Sequence, residues 1–183
     1  MPGGAVALDY RGSHRLRPPR AELRFDVTVS NGADAARWAI MPDTLAGKPT
    51  ALATQVWSVG AYVLGEPGRV TAVHAVAEAG WYAVLVPSGG EVRLENLPFA
   101  FWGEPGPSAE LEVVLAEEIE IDGQPLLARL DLDARSDEGA AVDASPLGNE
   151  GAVTAALTGG PAAPLAVTWT GAEPLRASAT LAP

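Results

Sequence analysis

The 183-residue sequence predicts an all-β fold, an antiparallel β-sandwich with little helix. Three observations point there. From residue 56 to residue 102, short runs rich in Val, Tyr, Trp and Leu alternate with Gly- and Pro-bearing turns such as Gly65-Glu66-Pro67-Gly68 and Pro87-Ser88-Gly89-Gly90. Such runs suit a pleated, half-buried surface and are too short for most helices. Elsewhere, apolar residues recur at every second position, as in Leu23, Phe25, Val27 and Val29, in Leu111, Val113 and Leu115, and in Leu175, Ala177 and Ala179. No segment shows a convincing helical period. Many short strands with regular turn signals fit an immunoglobulin-like or jelly-roll-like sandwich, a fold analogy that says nothing about activity.

The elements follow in order. Residues 5–10 read as a short first strand. Residues 11–20 form an extended arm that Pro18 and Pro19 keep out of helix. Residues 1–22 are therefore expected to be an N-terminal arm on a sandwich of residues 23–183. Residues 23–30 alternate apolar and polar side chains, and Asn31-Gly32 ends that strand with a strong hairpin signal. Residues 37–41 place Trp38 and Ile40 on one side, and Asp43-Thr44-Leu45 is a candidate for a single helical turn. Residues 51–57 fit either helix or strand.

Residues 62–97 read as a meander of about four antiparallel neighbours. Two of its runs, 72–77 and 81–86, are apolar on both faces, so the second face needs a cover. Residues 103–107 are a Pro- and Gly-rich connector, and a sub-boundary is expected near 103–109. Beyond it Glu117 keeps the parity of Leu111, Val113 and Leu115. A bulge near Ala116 that turns Glu117 outward is favoured, because an unpaired buried carboxylate is costly. Asp122-Gly123 turns the chain into a hairpin with residues 126–132. Residues 134–149 are loop-like, and residues 153–157, 165–170 and 175–181 read as strands.

Composition narrows the function. The chain has no cysteine, which excludes disulfides, thiol chemistry and Cys-ligated metals. No secretory signal is visible, which makes a cytoplasmic location the default, and no run is long enough for a membrane span. The net charge of −11 lies entirely in residues 101–183, with three basic groups against 14 acidic, while residues 1–100 balance at nine each. That sign disfavours nucleic acid, whose binding rests on neutralising phosphates.

Motifs for catalysis are missing: no Gly-x-Ser-x-Gly, no Walker-type loop and no dinucleotide fingerprint occur. With only His14 and His74, a histidine-rich metal site is not expected. Asp131, Asp133, Asp137 and Glu138 could offer oxygen ligands to calcium. Arg135 stands where the third ligand of an EF-hand would fall, so a solvated acidic loop is the preferred reading. No cofactor is expected otherwise.

Two features suggest binding. Arg11, Arg15, Arg17, Arg20 and Arg24 crowd the arm, which reads as a solvated edge or as a segment that docks on an acidic surface. Phe99, Phe101 and Trp102, flanked by Pro98 and Gly103, include both strand parities and are hard to bury together. The leading expectation is a non-catalytic binding or assembly module that self-associates, or joins another subunit, through the arm and the acidic C-terminal half. The alternative is a ligand- or carbohydrate-binding module that uses Phe99, Phe101, Trp102 and other tryptophans. A carboxylate-dependent hydrolase comes third.

Overall fold

The computed structural model describes residues 3–17, 20–45, 60–71, 73–76, 80–102, 106–121, 123–126, 132–133 and 167–181. In chain order the strands are β1 (Ala5–Arg17), β2 (Arg20–Ser30), β3 (Arg37–Pro42), β4 (Gly60–Val63), β5 (Arg69–Val70), β6 (Val73–Val76) and β7 (Trp81–Val86). They continue as β8 (Glu91–Trp102), β9 (Ser108–Ala116), β10 (Glu118–Ile121), β11 (Gln124–Pro125), β12 (Leu132–Asp133), β13 (Val167–Thr170) and β14 (Glu173–Thr180). No helix occurs among the described residues, and so none is long and apolar enough to cross a membrane. The all-β sandwich expected from the sequence is what forms.

The described strands form three sheets. The first has the order β1-β2-β8-β4-β5-β12, the second β14-β9-β3-β7-β6 and the third β11-β10-β13. The first two pack face to face around one core. Leu23, Phe25, Val27, Leu94, Leu97 and Phe99 of the first sheet meet Met41, Tyr82, Val84, Val113 and Leu115 of the second. Leu8 and Leu175, from the two ends of the chain, belong to the same core, as do residues on either side of the connector at 103–107.

The second sheet is apolar on its outer face as well. Trp38, Ile40, Ala83 and Ala116 pack there against Ile119, Ile121 and Leu126. The third sheet is thus the cover that the doubly apolar run at residues 81–86 calls for.

The meander forms only in part. β4 pairs with β5 in the first sheet, β6 pairs with β7 in the second, and β8 returns to the first sheet beside β2 and β4. Turn residues report where the chain reverses, but not which sheet receives the next strand. The same holds at Asn31-Gly32, which does not make a tight hairpin, because β2 and β3 lie in different sheets. Instead the buried Asn31 amide donates to the carbonyls of Ala35 (2.9 Å), Val86 (3.2 Å) and Pro87 (3.2 Å), and accepts from the Ala33 N–H (3.1 Å). It ties the crossing loop to the end of β7.

Glu117 turns outward, as the bulge reading requires. It is exposed at a bend between β9 and β10, and its N–H donates to Thr170 at 2.9 Å. The bend hands the chain from the second sheet to the third. Gly171 faces it at φ +62, where a Cβ would stand 2.5 Å from Cδ of Glu117. Glycine suits that left-handed backbone without strain and leaves the Glu117 side chain its place.

The N-terminal arm is a strand of the first sheet. β1 pairs with β2 from Ala5↔Ser30 to Arg17↔Arg20, with irregularities between Tyr10 and Gly12 and between Arg15 and Arg17. Beside it lies a feature that alternation alone conceals. Asp26, on the polar face of β2, is 1% exposed. Its Oδ2 accepts from Arg93 Nη2 at 2.8 Å, its Oδ1 accepts from the Asn96 N–H at 2.9 Å, and Arg11 Nε stands 3.4 Å away. Asn96 holds φ 61, the left-handed region, where the register between β2 and β8 shifts. Asp26 thus fixes the bulge of β8 and links three neighbouring strands.

Replacing Asp26 by Ala should lower unfolding stability in urea by about 2–3 kcal/mol, since both arginines can still reach water. A loss below about 0.5 kcal/mol, the scale of an ordinary surface change, would show that the carboxylate does not hold the bulge.

Candidate ligand groove

Among the described residues, the third sheet does not cover the whole outer face of the second. Where the cover stops, a groove of about 500 Å³ opens. Residues of β3, β7, β9, β13 and β14 and of the segment after β3 line it.

On β9, alternation buries Ala109, Leu111, Val113 and Leu115 in the main core and turns Glu110, Glu112 and Val114 to the outer face. β14 runs antiparallel beside it, with Arg176 opposite Glu112 and Ser178 opposite Glu110. Arg176 Nη2 lies 3.5 Å from Glu112 Oε2, and the two side chains are 79% and 55% exposed, so this pair is solvated and weak. Glu110 has no ion pair among the described residues.

Trp81 begins β7 opposite Pro42 of β3, and Trp169 lies on β13 opposite Ile119. The two indoles come from different sheets and meet edge to face, with centroids 5.4 Å apart and planes at 69°. Both are half-buried and both line the groove. Their contact is the seam between the second and third sheets.

The remaining wall is the segment after β3. The sequence suggests a helical turn at Asp43-Thr44-Leu45, but the chain there is extended. The Asp43 N–H donates to Gly80 O (2.9 Å), the Ala100 N–H to Asp43 O (2.8 Å) and the Leu45 N–H to Ala100 O (3.2 Å). These bonds stitch the segment between the two large sheets, which a helical turn could not do.

The aromatic segment expected at the surface is divided. Phe99 is fully buried, in edge-to-face contact with Phe25 (5.9 Å) and Tyr82 (5.8 Å). Phe101 is half-buried and packs against the main core, and the side chain of Trp102 lies outside the described residues. The reason is register: after the bulge at Asn96, Leu97, Phe99 and Phe101 pair with Phe25, Leu23 and Ala21 of β2 and share their inward face. Phe99 therefore serves the core, and no three-ring surface patch includes it.

The arginines are held within their own sheet where they are described. Arg11 approaches Asp26, while Arg24 bonds Glu22 (2.7 Å) and donates to Asn96 O (3.3 Å). Arg15, Arg17 and Arg20 belong to β1 and β2 by their backbones, and their side chains lie outside the described residues. The same is true of His14 on β1 and His74 on β6.

Of the calcium candidates, Asp131, Asp137 and Glu138 lie outside the described residues. Asp133 pairs by its backbone with Arg69. No group of three or more potential metal ligands occurs among the described residues.

The groove was not foreseen as a site. The count of five tryptophans was its only sequence signal. Which of them meet depends on β13 pairing with β10, a contact between distant parts of the chain.

No family model matches the chain, and no curated protein matches it. Two solved structures are similar: a GH20 exo-β-N-acetylglucosaminidase from Vibrio harveyi in complex with N-acetylglucosamine, and an inactive mutant of the same enzyme. Each is 13% identical at a TM-score of 0.29, over 72% of this chain and 18% of the glycosidase chain. A likeness that distant tells nothing about activity here.

The tryptophan contact is measurable in solution. Two indoles this close and this far from parallel should give an exciton couplet in far-ultraviolet circular dichroism. Trp81→Phe and Trp169→Phe should each remove the whole couplet, whereas Trp38→Phe should leave it. A couplet that survives both groove substitutions would contradict the pairing.

Proposed function

We propose that this chain is a non-catalytic binding module that holds a small ligand, or a terminal unit of a glycan, in the groove beneath Trp81 and Trp169. The observation that carries this reading is the perpendicular, half-buried tryptophan pair at the side of a concave groove. Its volume falls in the ordinary range for ligand pockets, roughly 300–1,000 Å³. Indoles offer flat apolar faces on which a ring can stack. Glu110 and Glu112 offer acceptors for hydroxyl or amine hydrogens, and Arg176 offers donors.

A hydrolytic role has less support. Glu110 and Glu112 stand side by side on one face of one strand, and Glu112 is engaged by Arg176. Glycoside hydrolysis needs two carboxyls that flank the bond from opposite sides.

Titration of the full chain with a panel of soluble oligosaccharides and small ring-bearing amines, followed by tryptophan fluorescence, tests the proposal. At least one ligand should give a saturable change that Trp169→Ala abolishes. A panel without any response, or a response that Trp169→Ala leaves intact, would remove the groove from consideration.

A second reading, assembly, draws on β1. This 13-residue strand is terminal in its sheet, so its outer edge is unpaired among the described strands. Open edges of that length invite pairing with another chain, although bulges and charged side chains blunt them. Light scattering at low and high salt separates the cases: a salt-sensitive oligomer supports assembly through the arginine-bearing edge, and a monomer at both salts opposes it.

A further inference from the structure

We infer that the groove selects a positively charged ligand, a protonated amine or a quaternary ammonium, over a neutral one of the same shape. The inference rests on reading the groove as a ligand site, and it adds the chemical class of the occupant.

Three features agree. The first is aromatic. The face of an indole carries negative quadrupolar potential, and tryptophan is the best of the side chains at holding a cation within about 6 Å of its ring. Trp81 and Trp169 both line the groove and meet edge to face, so the groove has two indoles in its wall.

The second is the local ion balance. The lining contains two carboxylates, Glu110 and Glu112, and one guanidinium, Arg176. The guanidinium lies 3.5 Å from Glu112 in a weak, solvated pair, while Glu110 is left without a counter-ion among the described residues. A monocation beside Glu110 would bring the groove to neutrality. An anion would add to the excess.

The third is the charge of the sequence segment that contains β9, which includes Glu110 and Glu112. Residues 108–126 carry Glu110, Glu112, Glu117, Glu118, Glu120 and Asp122 and no lysine or arginine. A local excess of one sign of charge raises the concentration of the opposite ion nearby. A neutral polyol would gain from stacking and from hydrogen bonds to these side chains, but not from the charge excess.

The test uses matched pairs that differ in charge but little in shape: choline against 3,3-dimethylbutan-1-ol, and glucosamine against glucose. Each is titrated into the full chain, with the tryptophan emission followed at low salt and at about 0.5 M salt, where surface charges are strongly screened. The charged member of at least one pair should bind about tenfold more tightly than its neutral partner, and salt should narrow the gap. A gap confined to the choline pair identifies a quaternary ammonium site, and one confined to the glucosamine pair identifies an amino-sugar site.

Two variants on the exposed face keep the test independent of folding. Glu110→Gln, which keeps an acceptor oxygen but removes the charge, should weaken the cation several-fold and the neutral partner by much less. Arg176→Ala should tighten the cation by freeing Glu112. Equal affinity within both pairs would overturn the charge preference while leaving the groove as a ligand site. Absence of any binding, here and with neutral oligosaccharides, would overturn both.

Discussion

The second sheet is apolar on both faces, and the rest of the molecule is arranged to satisfy that. A strand such as β7 cannot leave either side in water without exposing a continuous hydrophobic band. At about 25 cal/mol per Å² of apolar surface, covering such a band outweighs any single polar contact in the fold. The first sheet covers the inner face with large side chains, Phe25, Phe99 and Tyr82 among them. The third sheet covers the outer face with Ile119, Ile121 and Leu126. The chain reaches that third sheet by bending at Glu117, where the continuous β9 pattern ends and its next odd-numbered side chain turns to water.

The groove is a consequence of the same arrangement. Among the described residues the third sheet has three short strands against five in the sheet it covers, and these cover only part of that face. At its margin Trp169 and Trp81 close the seam, and beyond them the face of β9 changes from apolar at Val114 to charged at Glu112 and Glu110. A half-buried aromatic corner next to carboxylates is a mixed surface. It is neither a core, which would be dry and apolar, nor an ordinary solvated face. The binding proposal and the charge preference both arise from that mixture.

Much of this was legible in the sequence, and what was not shares one cause. Alternation identified β2, β9 and β14 because each has one face in the main core. The unbroken apolar run of β7 announced a doubly covered strand. The parity of Glu117 announced a break, since a carboxylate in phase with Val113 and Leu115 had to turn away. What failed were inferences about distant partners. Asp26 looked like an ordinary residue of a polar face, yet Arg93 and Asn96 from β8 and Arg11 from β1 bury it. Phe99 looked too crowded to bury, yet the bulge at Asn96 aligns it with Leu23 and Phe25. Asn31-Gly32 looked like a hairpin, yet its asparagine secures a crossing between sheets. Local composition records propensity and parity, while sheet membership is set by packing between segments far apart in the chain.

The Trp81–Trp169 groove, rather than the aromatic segment at residues 98–102, is the proposed ligand site. The most direct measurement is the set of indole N–H resonances of the uniformly nitrogen-labelled protein during titration with a bound ligand. Signals assigned by single substitution to Trp81 and Trp169 should shift together and saturate, with Trp38 and Trp102 unmoved. Movement of Trp102 with Trp81 and Trp169 still would contradict the account and return the site to the end of β8.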